Sequence, residues 1–321
     1  MPNNLGHDKI PQWTADIWTS IDTAVANEHK LTAIAAQFLT PPVPDGEMNG
    51  TVDADRVLVG TTDGVLSVDE GETRSIVEIA VQFKLRQSQV DHEAQKKTAE
   101  SLATRAANLL ARAEDLLIFQ PFADALKDPL FASGTVSLII PNPDSKSTSV
   151  DSFLPADADQ TITVLPAEVN PNNPALSIYG ENTYAAVAEG YATLQNNHYG
   201  RQALVLPSVI LADTYATRTT TLDIPAITAD RIKGLIGDRV YGTSTLPSFD
   251  KADPTKSAKG VLLALDGDTT DFVSQLPPTV EVVTWDPKTS DFIFKVYERF
   301  ALRLKDRKAV VELDFVPKKN P

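Results

Sequence analysis

Residues 95–119, QKKTAESLATRAANLLARAEDLLIF, decide the fold predicted for this chain. Apolar side chains recur there at three- and four-residue steps, which places them on one face of an amphipathic helix: Ala99, Leu102, Ala106, Leu109, Ala113, Leu116 and Leu117. No glycine or proline interrupts the stretch. Because alanine is frequent on this face, another backbone can approach closely, and we expect the helix to be a spine with strands laid across it.

The regions before the spine indicate a helix and an arm. Residues 11–38 predict a helical region with an apolar face that includes Trp13 and Trp18. From residue 40 to 71 the sequence becomes rich in proline and glycine, with an Asp-Gly turn signal, which predicts a two-stranded arm. An isolated hairpin is marginal in water, so we expect this arm to lie on a neighbouring subunit.

The regions after the spine indicate an insertion, an α/β lobe and a β-rich end. Residues 141–175 are rich in Pro, Asn, Asp and Ser, with a short strand near 161–165. Helices alternate with strands from 182 onward, whereas residues 291–305 alternate like a long strand with one apolar and one largely basic face. Only Glu298 breaks its apolar side, and a carboxylate there needs a partner or solvent.

Composition bounds the function class. The chain has 321 residues, 42% of them hydrophobic and 22% charged, which is typical of a globular protein with two or three lobes. Its formal charge of −14 makes the average surface repel nucleic acid and anionic lipid. The chain has no cysteine, which excludes disulfides and thiolate metal sites. We recognise neither a signal peptide nor an apolar run long enough to cross a bilayer, so we expect a cytoplasmic protein with no membrane partner.

Six stretches resemble encapsulin shell proteins and occur in the same order. They are PQWTADIWTSIDTAV (11–25), the spine ending ARAEDLLIF (111–119), YAAVAEGYATLQ (184–195) with ALVLPSVILADTYAT (203–217), and VYERFALRL (296–304) with AVVELDF (309–315). The resemblance implies an α+β fold of the tailed-bacteriophage major capsid type, with a long spine helix, an extended β-hairpin arm, and peripheral and axial domains. The expected segments are an N-terminal peripheral helix (1–44), the arm (45–75), the peripheral domain with the spine (76–136), a variable insertion (137–181), the axial domain (182–265) and peripheral C-terminal strands (266–321).

The resemblance also implies a function and candidate site residues. It implies a structural, non-catalytic subunit that self-assembles into an icosahedral nanocompartment and captures a cargo protein through a terminal targeting peptide. Trp18, Ile21 and Phe38 would hold that peptide on the inner wall, although core packing is the alternative for all three. Thr219, Thr220 and Thr221, in a polar loop, would line a pore. Some encapsulins hold a flavin beside a tryptophan after the strand that leads to the spine, but this chain has RQSQV there, so we expect no cofactor.

Two other functions remain open. A tailed-phage or prophage major capsid protein would share the fold and enclose DNA. A phosphatase is the remote alternative, because Asp266-x-Asp268-x-Thr270 follows an apolar strand as in haloacid-dehalogenase enzymes, where the first aspartate attacks phosphorus. Asp-Gly is also a common hairpin turn, and the segments that follow indicate antiparallel strands.

The remaining ionisable residues predict no active site. The four histidines, His7, His29, His92 and His198, lack metal-ligand spacing, which favours surface positions. Glu114 and Asp115 are neighbours on a helix and point to different faces, which favours solvated or intersubunit ion pairs.

Overall fold

The computed structural model describes residues 5–39, 43–44, 50–53, 56–59, 66–69, 73–140, 150–155, 157, 160–167, 178–216, 227–250, 253, 255–266, 268–286 and 289–318. These residues form two units. The first comprises Met1–Ile118, Phe122–Asp151 and Asp271–Arg303, and the second comprises Phe119–Pro121, Ser152–Thr270 and Leu304–Pro321. Among the helices described, none is long and apolar enough to span a bilayer.

The α-helices are α1 (Ala15–Thr32), α2 (Ala35–Phe38), α3 (Gln87–Asp91), α4 (Glu93–Lys96), α5 (Thr98–Phe119), α6 (Phe122–Ala125), α7 (Pro129–Ala132), α8 (Glu181–Asn196), α9 (Ser208–Thr214) and α10 (Thr228–Ile236). The strands are β1 (Val43–Pro44), β2 (Thr51–Asp53), β3 (Arg56–Val59), β4 (Leu66–Asp69), β5 (Thr73–Ser75), β6 (Val77–Arg86), β7 (Ser137–Ile139), β8 (Thr161–Val164), β9 (Gln202–Pro207), β10 (Val240–Thr243), β11 (Ala258–Ala264), β12 (Thr270–Asp286), β13 (Asp291–Leu304) and β14 (Val310–Phe315).

The predicted spine is α5, which begins three residues later than the apolar pattern indicates. Lys97 adopts the left-handed conformation with φ of 49°, which separates α5 from α4. The buried Glu93 carboxylate then accepts hydrogen bonds from the backbone N–H groups of Ala99 and Glu100 at 2.7 and 3.0 Å. A carboxylate at this position satisfies amides that the first turn of a helix leaves unpaired.

The buried face of α5 is rotated slightly from the predicted one. Ala103, Ala107 and Leu110 are each 0% exposed, whereas the expected core residue Leu109 is only half-buried. The C-terminal part of the helix is buried on every side, from Ala113 to Phe119. Small residues on the central face let neighbouring backbones approach, as the alanine content predicts.

The predicted helical region 11–38 is two helices, α1 and α2, which meet at Ala33 and Ile34. Its aromatic residues form part of the core of the first unit. Trp13 lies edge-on to Trp18, with ring centres 4.7 Å apart, and stacks on Phe294 of β13 at 5.6 Å. The indole N–H of Trp13 donates to the Val90 carbonyl at 2.8 Å, so its one polar group is satisfied on burial.

A five-stranded sheet, in the order β1-β12-β13-β6-β7, completes the first unit. The predicted long strand is β13, which pairs antiparallel with β6. The basic side chains of β13 pair with acids on adjacent strands: Arg299 with Glu78 at 2.7 Å and Arg303 with Asp271 at 2.6 Å. Opposite charges across neighbouring strands favour this pairing register.

The described parts of the arm are two-stranded, as predicted. β2 pairs antiparallel with β5, and β3 pairs antiparallel with β4. At the base of the arm, Val52 packs with Ile76, Val273 and Ala301 in a small buried cluster. The base of the arm is therefore anchored to the first unit.

The second unit contains a sheet in the order β10-β9-β11-β14-β8. Helix α8 packs closely on it, because a Cβ added at Gly190 would lie 3.1 Å from Leu262 and 3.2 Å from Val311. Two boundaries differ from the expected domains. The final strand β14 lies between β11 and β8 rather than with the peripheral strands, and residues 152–167 of the expected insertion contribute β8 to this sheet.

We predict that Leu110→Ala lowers the free energy of unfolding by about 2–5 kcal/mol, because it leaves a cavity in a fully buried site. Leu109→Ala is the matched control on the same helix and should cost less than half as much, since that side chain is half-buried. Urea unfolding followed by circular dichroism measures both changes. Equal losses for the two variants would contradict the observed rotation of the buried face.

Candidate functional site

The three residues predicted to hold a cargo peptide are buried within the chain. Trp18, Ile21 and Phe38 are 6%, 1% and 5% exposed. The Trp18 indole is covered by the His7 imidazole, which stacks on it with ring centres 3.8 Å apart. A docking peptide could touch these side chains only after such neighbours moved, so their direct role in cargo binding stays a prediction.

The opposite side of α1 carries an open pocket of about 450 Å³. The residues that line it are mostly polar: Asp16, Thr19, Ser20, Thr23, Ala24, Asn27 and Glu100. The Ser20 hydroxyl donates to Glu100 at 2.7 Å, and Lys97 pairs with Glu100 at 3.0 Å. These two hydrogen bonds hold the pKa of Glu100 below its ordinary value, so the pocket presents a carboxylate beside Asp16.

Asp115, near the end of α5, holds the junction between α1 and α2. Its two carboxylate oxygens accept hydrogen bonds from the backbone N–H groups of Ile34 and Ala35, both at 2.9 Å. Burial raises the pKa of Asp115 to about 7, although the two backbone hydrogen bonds act in the opposite direction. The expectation of a solvated or intersubunit ion pair is therefore wrong for Asp115, which is 1% exposed.

Glu114 points to a different side of α5 and meets two other ionisable residues. The His29 Nε2 atom of α1 lies 2.9 Å from Glu114 Oε2 and 3.2 Å from Glu298 Oε2 of β13. The three side chains are 12%, 1% and 3% exposed in the order His29, Glu114 and Glu298. His29 is therefore not a surface histidine, and Glu298 has the partner that its place on an apolar strand face requires.

Electrostatics couples the residues of this cluster. Burial alone would lower the pKa of His29, but the charges of Glu298 and Glu114 outweigh burial and raise it to about 11. Burial raises the pKa of Glu114, and the Glu298 charge acts in the same direction. The contacts of His29 Nε2 with both glutamates, at 2.9 and 3.2 Å, add to the glutamate charges in raising the pKa of His29.

Sequence reasoning missed this cluster because its members come from three distant segments. Glu298 was the available signal, since a carboxylate on the apolar side of a strand requires a partner. The spacing of residues along the sequence does not identify that partner.

The other candidate residues are not brought together. Thr219, Thr220 and Thr221 lie outside the described residues. Asp266 Oδ2 accepts hydrogen bonds from the backbone N–H groups of Gly200 and Arg201 at 2.8 and 3.1 Å. The strand that precedes it, β11, is paired antiparallel with both neighbours, β9 and β14, unlike the parallel sheet that the phosphatase motif needs. The arrangement therefore gives the phosphatase hypothesis no support.

Comparison with known proteins confirms the sequence resemblance. Residues 3–146 match the family model described as an encapsulating protein for peroxidase. This match covers α1, the arm and α5, which include the pocket and two residues of the buried cluster. Among curated proteins, none matches the chain in sequence.

Solved structures confirm the capsid-type fold. The virus-like particle from Pyrococcus furiosus is similar at 15% identity and a TM-score of 0.60, with 93% of this chain and 100% of that chain covered. The capsid of Myoviridae phage XM1 is similar at 14% identity and a TM-score of 0.55, covering 88% and 92%. The SrpI encapsulin complex from Synechococcus elongatus PCC 7942 is similar at 11% identity and a TM-score of 0.50, covering 86% and 84%.

We predict that Asp115→Ala destabilises the chain by about 1–3 kcal/mol for each of the two backbone donors left buried without an acceptor. Asp124→Ala is the control, because that carboxylate is 53% exposed and its ion pair among the described residues is with exposed Lys127, and its effect should stay within about 0.5 kcal/mol. Thermal and urea unfolding measure the difference. A similar, small effect of both substitutions would show that Asp115 does not stabilise the α1–α2 junction.

Proposed function

We propose that this chain is the shell subunit of an encapsulin-type nanocompartment that self-assembles, closes as an icosahedron and encloses a cargo enzyme in the cytoplasm. One observation carries the proposal: the encapsulating-protein family model matches residues 3–146 of a chain whose described residues have a capsid-type fold. The subunit would act by assembly and selective enclosure rather than by chemistry of its own.

The arm supports assembly into a shell. Its base is anchored through Val52 and Ile76, while β3 and β4 pair only with each other among the described strands. A ribbon of two strands does not bury enough apolar surface to be stable by itself. We expect a neighbouring subunit to cover it, which would link subunits around the shell.

The pocket on α1 supports cargo docking on the face of that helix opposite to the predicted Trp18 and Ile21. Trp18 and Ile21 bury one face of α1 and hold the helix in place, which leaves the pocket face of α1 available to a peptide. Asp16 gives that face an acidic group, while Glu100 is paired with Lys97, so a cargo terminus with a basic residue would fit beside Asp16. We expect a terminal targeting peptide to bind in this short, open pocket.

A tailed-phage major capsid protein is the second candidate function. The similarity to the phage XM1 capsid supports this function. Its TM-score of 0.55 is lower than that of the virus-like particle but higher than that of the SrpI encapsulin. The two functions differ in what the shell encloses. The formal charge of −14 disfavours unassisted packing of DNA.

We predict that the chain expressed alone forms discrete round particles without a scaffold, protease or terminase, and that these particles protect little DNA from nuclease. Negative-stain microscopy tests assembly, and nucleic-acid assay after nuclease treatment tests the contents. Failure to form particles would overturn shell assembly. DNA-filled particles in the native host would replace the compartment with the phage function.

We predict that Ala24→Arg reduces the amount of cargo in particles from the native host about tenfold, because the new side chain fills the pocket beside Asp16 and Glu100. Ala26→Arg is the matched control, since Ala26 is exposed on the same helix but does not line the pocket. Both variants should assemble, and quantitative mass spectrometry measures cargo per shell. Ile21→Asp is unsuitable for this test because Ile21 is 1% exposed and the charge would disrupt the core.

Full cargo retention by Ala24→Arg particles would place the docking surface elsewhere on the shell. Equal loss in both variants would point to a general effect of positive charge on α1 rather than to the pocket.

A further inference from the structure

Three side chains of metal-ligating types converge inside the first unit from three separate elements. His29 of α1, Glu114 of α5 and Glu298 of β13 each offer one ligand atom, and these atoms all lie within 4.8 Å of one another. All three side chains are almost fully buried. Neither the shell function nor the α1 pocket makes use of them.

When Glu114 and Glu298 are both ionised, the described residues do not balance the charge of this cluster. In the part of the chain that the structure describes, His29 is the only basic group within ion-pair distance of Glu114 or Glu298. Two ionised carboxylates and one imidazolium would leave a net charge of −1 in a buried site. Burying an uncompensated charge costs several kcal/mol, whereas a divalent cation beside a neutral imidazole would neutralise both carboxylates.

The polar atoms also lack other partners. His29 Nε2, Glu114 Oε2 and Glu298 Oε1 are buried, and outside the cluster the described residues provide none of them with a hydrogen-bond partner. Buried polar atoms are nearly always satisfied by the protein, by water or by an ion. A cation shared by the three side chains would use the ligand capacity that their ion-pair contacts leave open.

We infer that His29, Glu114 and Glu298 form a binding site for a first-row divalent transition-metal ion, with Nε2 of His29 and one carboxylate oxygen from each glutamate as ligands. Metal–ligand bonds of about 2.0–2.2 Å place ligand atoms roughly 3 Å apart around the ion. The observed separations from His29 Nε2 to the two glutamate oxygens, 2.9 and 3.2 Å, are of this size.

The donor set selects the class of metal. One imidazole nitrogen with two carboxylate oxygens suits Zn²⁺, Mn²⁺, Fe²⁺ or Co²⁺, while Ca²⁺ and Mg²⁺ prefer ligands that are all oxygen. Asp115 is not a fourth ligand, because both of its oxygens are occupied by backbone amides of Ile34 and Ala35. The remaining coordination positions would be filled by water.

The bound ion would act as a structural link. It would tie α1, α5 and β13 together near the point where Asp115 holds the α1–α2 junction. Ligands from three distant segments contribute metal-binding energy only when the chain is folded, so the ion would stabilise the folded subunit.

The test uses the full chain expressed in minimal medium supplemented with Co²⁺, so that the ion can enter during folding. We expect about one cobalt per chain after purification, together with the visible d–d absorption of a low-symmetry Co²⁺ site. Glu298→Gln and His29→Gln should each lower cobalt content at least about tenfold, since each removes a ligand. His92→Gln is the matched control, because it removes an exposed imidazole outside the cluster and should retain the metal.

Elemental analysis of the assembled protein decides the outcome. Wild-type protein with less than about 0.1 cobalt per chain would overturn the site and leave the cluster as an ion pair only. Equal cobalt in wild-type and His29→Gln protein would overturn it too, by placing the ion elsewhere. If Glu298→Gln fails to fold, wild-type and His29→Gln protein still decide between these results.

Discussion

Burial of carboxylates at the C-terminal end of α5 is the constraint on which the first unit depends. Glu114 and Asp115 are both 1% exposed, and a buried carboxylate without a partner is strongly destabilising. Asp115 meets this requirement by accepting two backbone hydrogen bonds at the start of α2. Glu114 meets it through His29 of α1 and the site shared with Glu298. Adjacent residues of one helix therefore hold the last turn of α1 and the start of α2.

The need to pair charged side chains also applies to the sheet of the first unit. β13 buries one face in the core and presents basic residues on the other, where each basic residue meets an acid from an adjacent strand. These pairs are partly exposed, and such pairs contribute little stability individually. Their more important effect is on register, because a shift by one residue would expose the apolar face and separate every pair.

These packing requirements divide α1 between two roles. Its apolar face, with Trp18 and Ile21, is committed to the core and to fixing the helix. Its polar face does not pack in the core and carries the pocket that includes Asp16 and Ala24. In the proposed shell, α1 would supply a docking surface that is rigid and yet open. The arm would be the complementary case, in which an anchored base carries a ribbon that a second subunit covers.

The sequence by itself determined the spine, the long strand β13, the two-stranded arm and the α/β composition of the second unit. These follow from local periodicity and turn residues, which act within a few positions along the chain. The resemblance in six ordered stretches also led to the capsid-type fold. Local pattern did not determine the rotation of α5, where Leu110 rather than Leu109 is fully buried, because the choice depends on what packs against the helix.

Only the tertiary structure decided how the ionisable residues are used. His29, Glu114 and Glu298 are far apart in sequence and meet because α1, α5 and β13 pack together, which no spacing rule detects. The placement of β14 in the second unit is likewise a matter of strand pairing, since its partners β11 and β8 come from distant segments. The sequence marked Glu298 as a carboxylate in need of a partner, and the fold supplied that partner, because long-range packing alone brings distant side chains within contact distance.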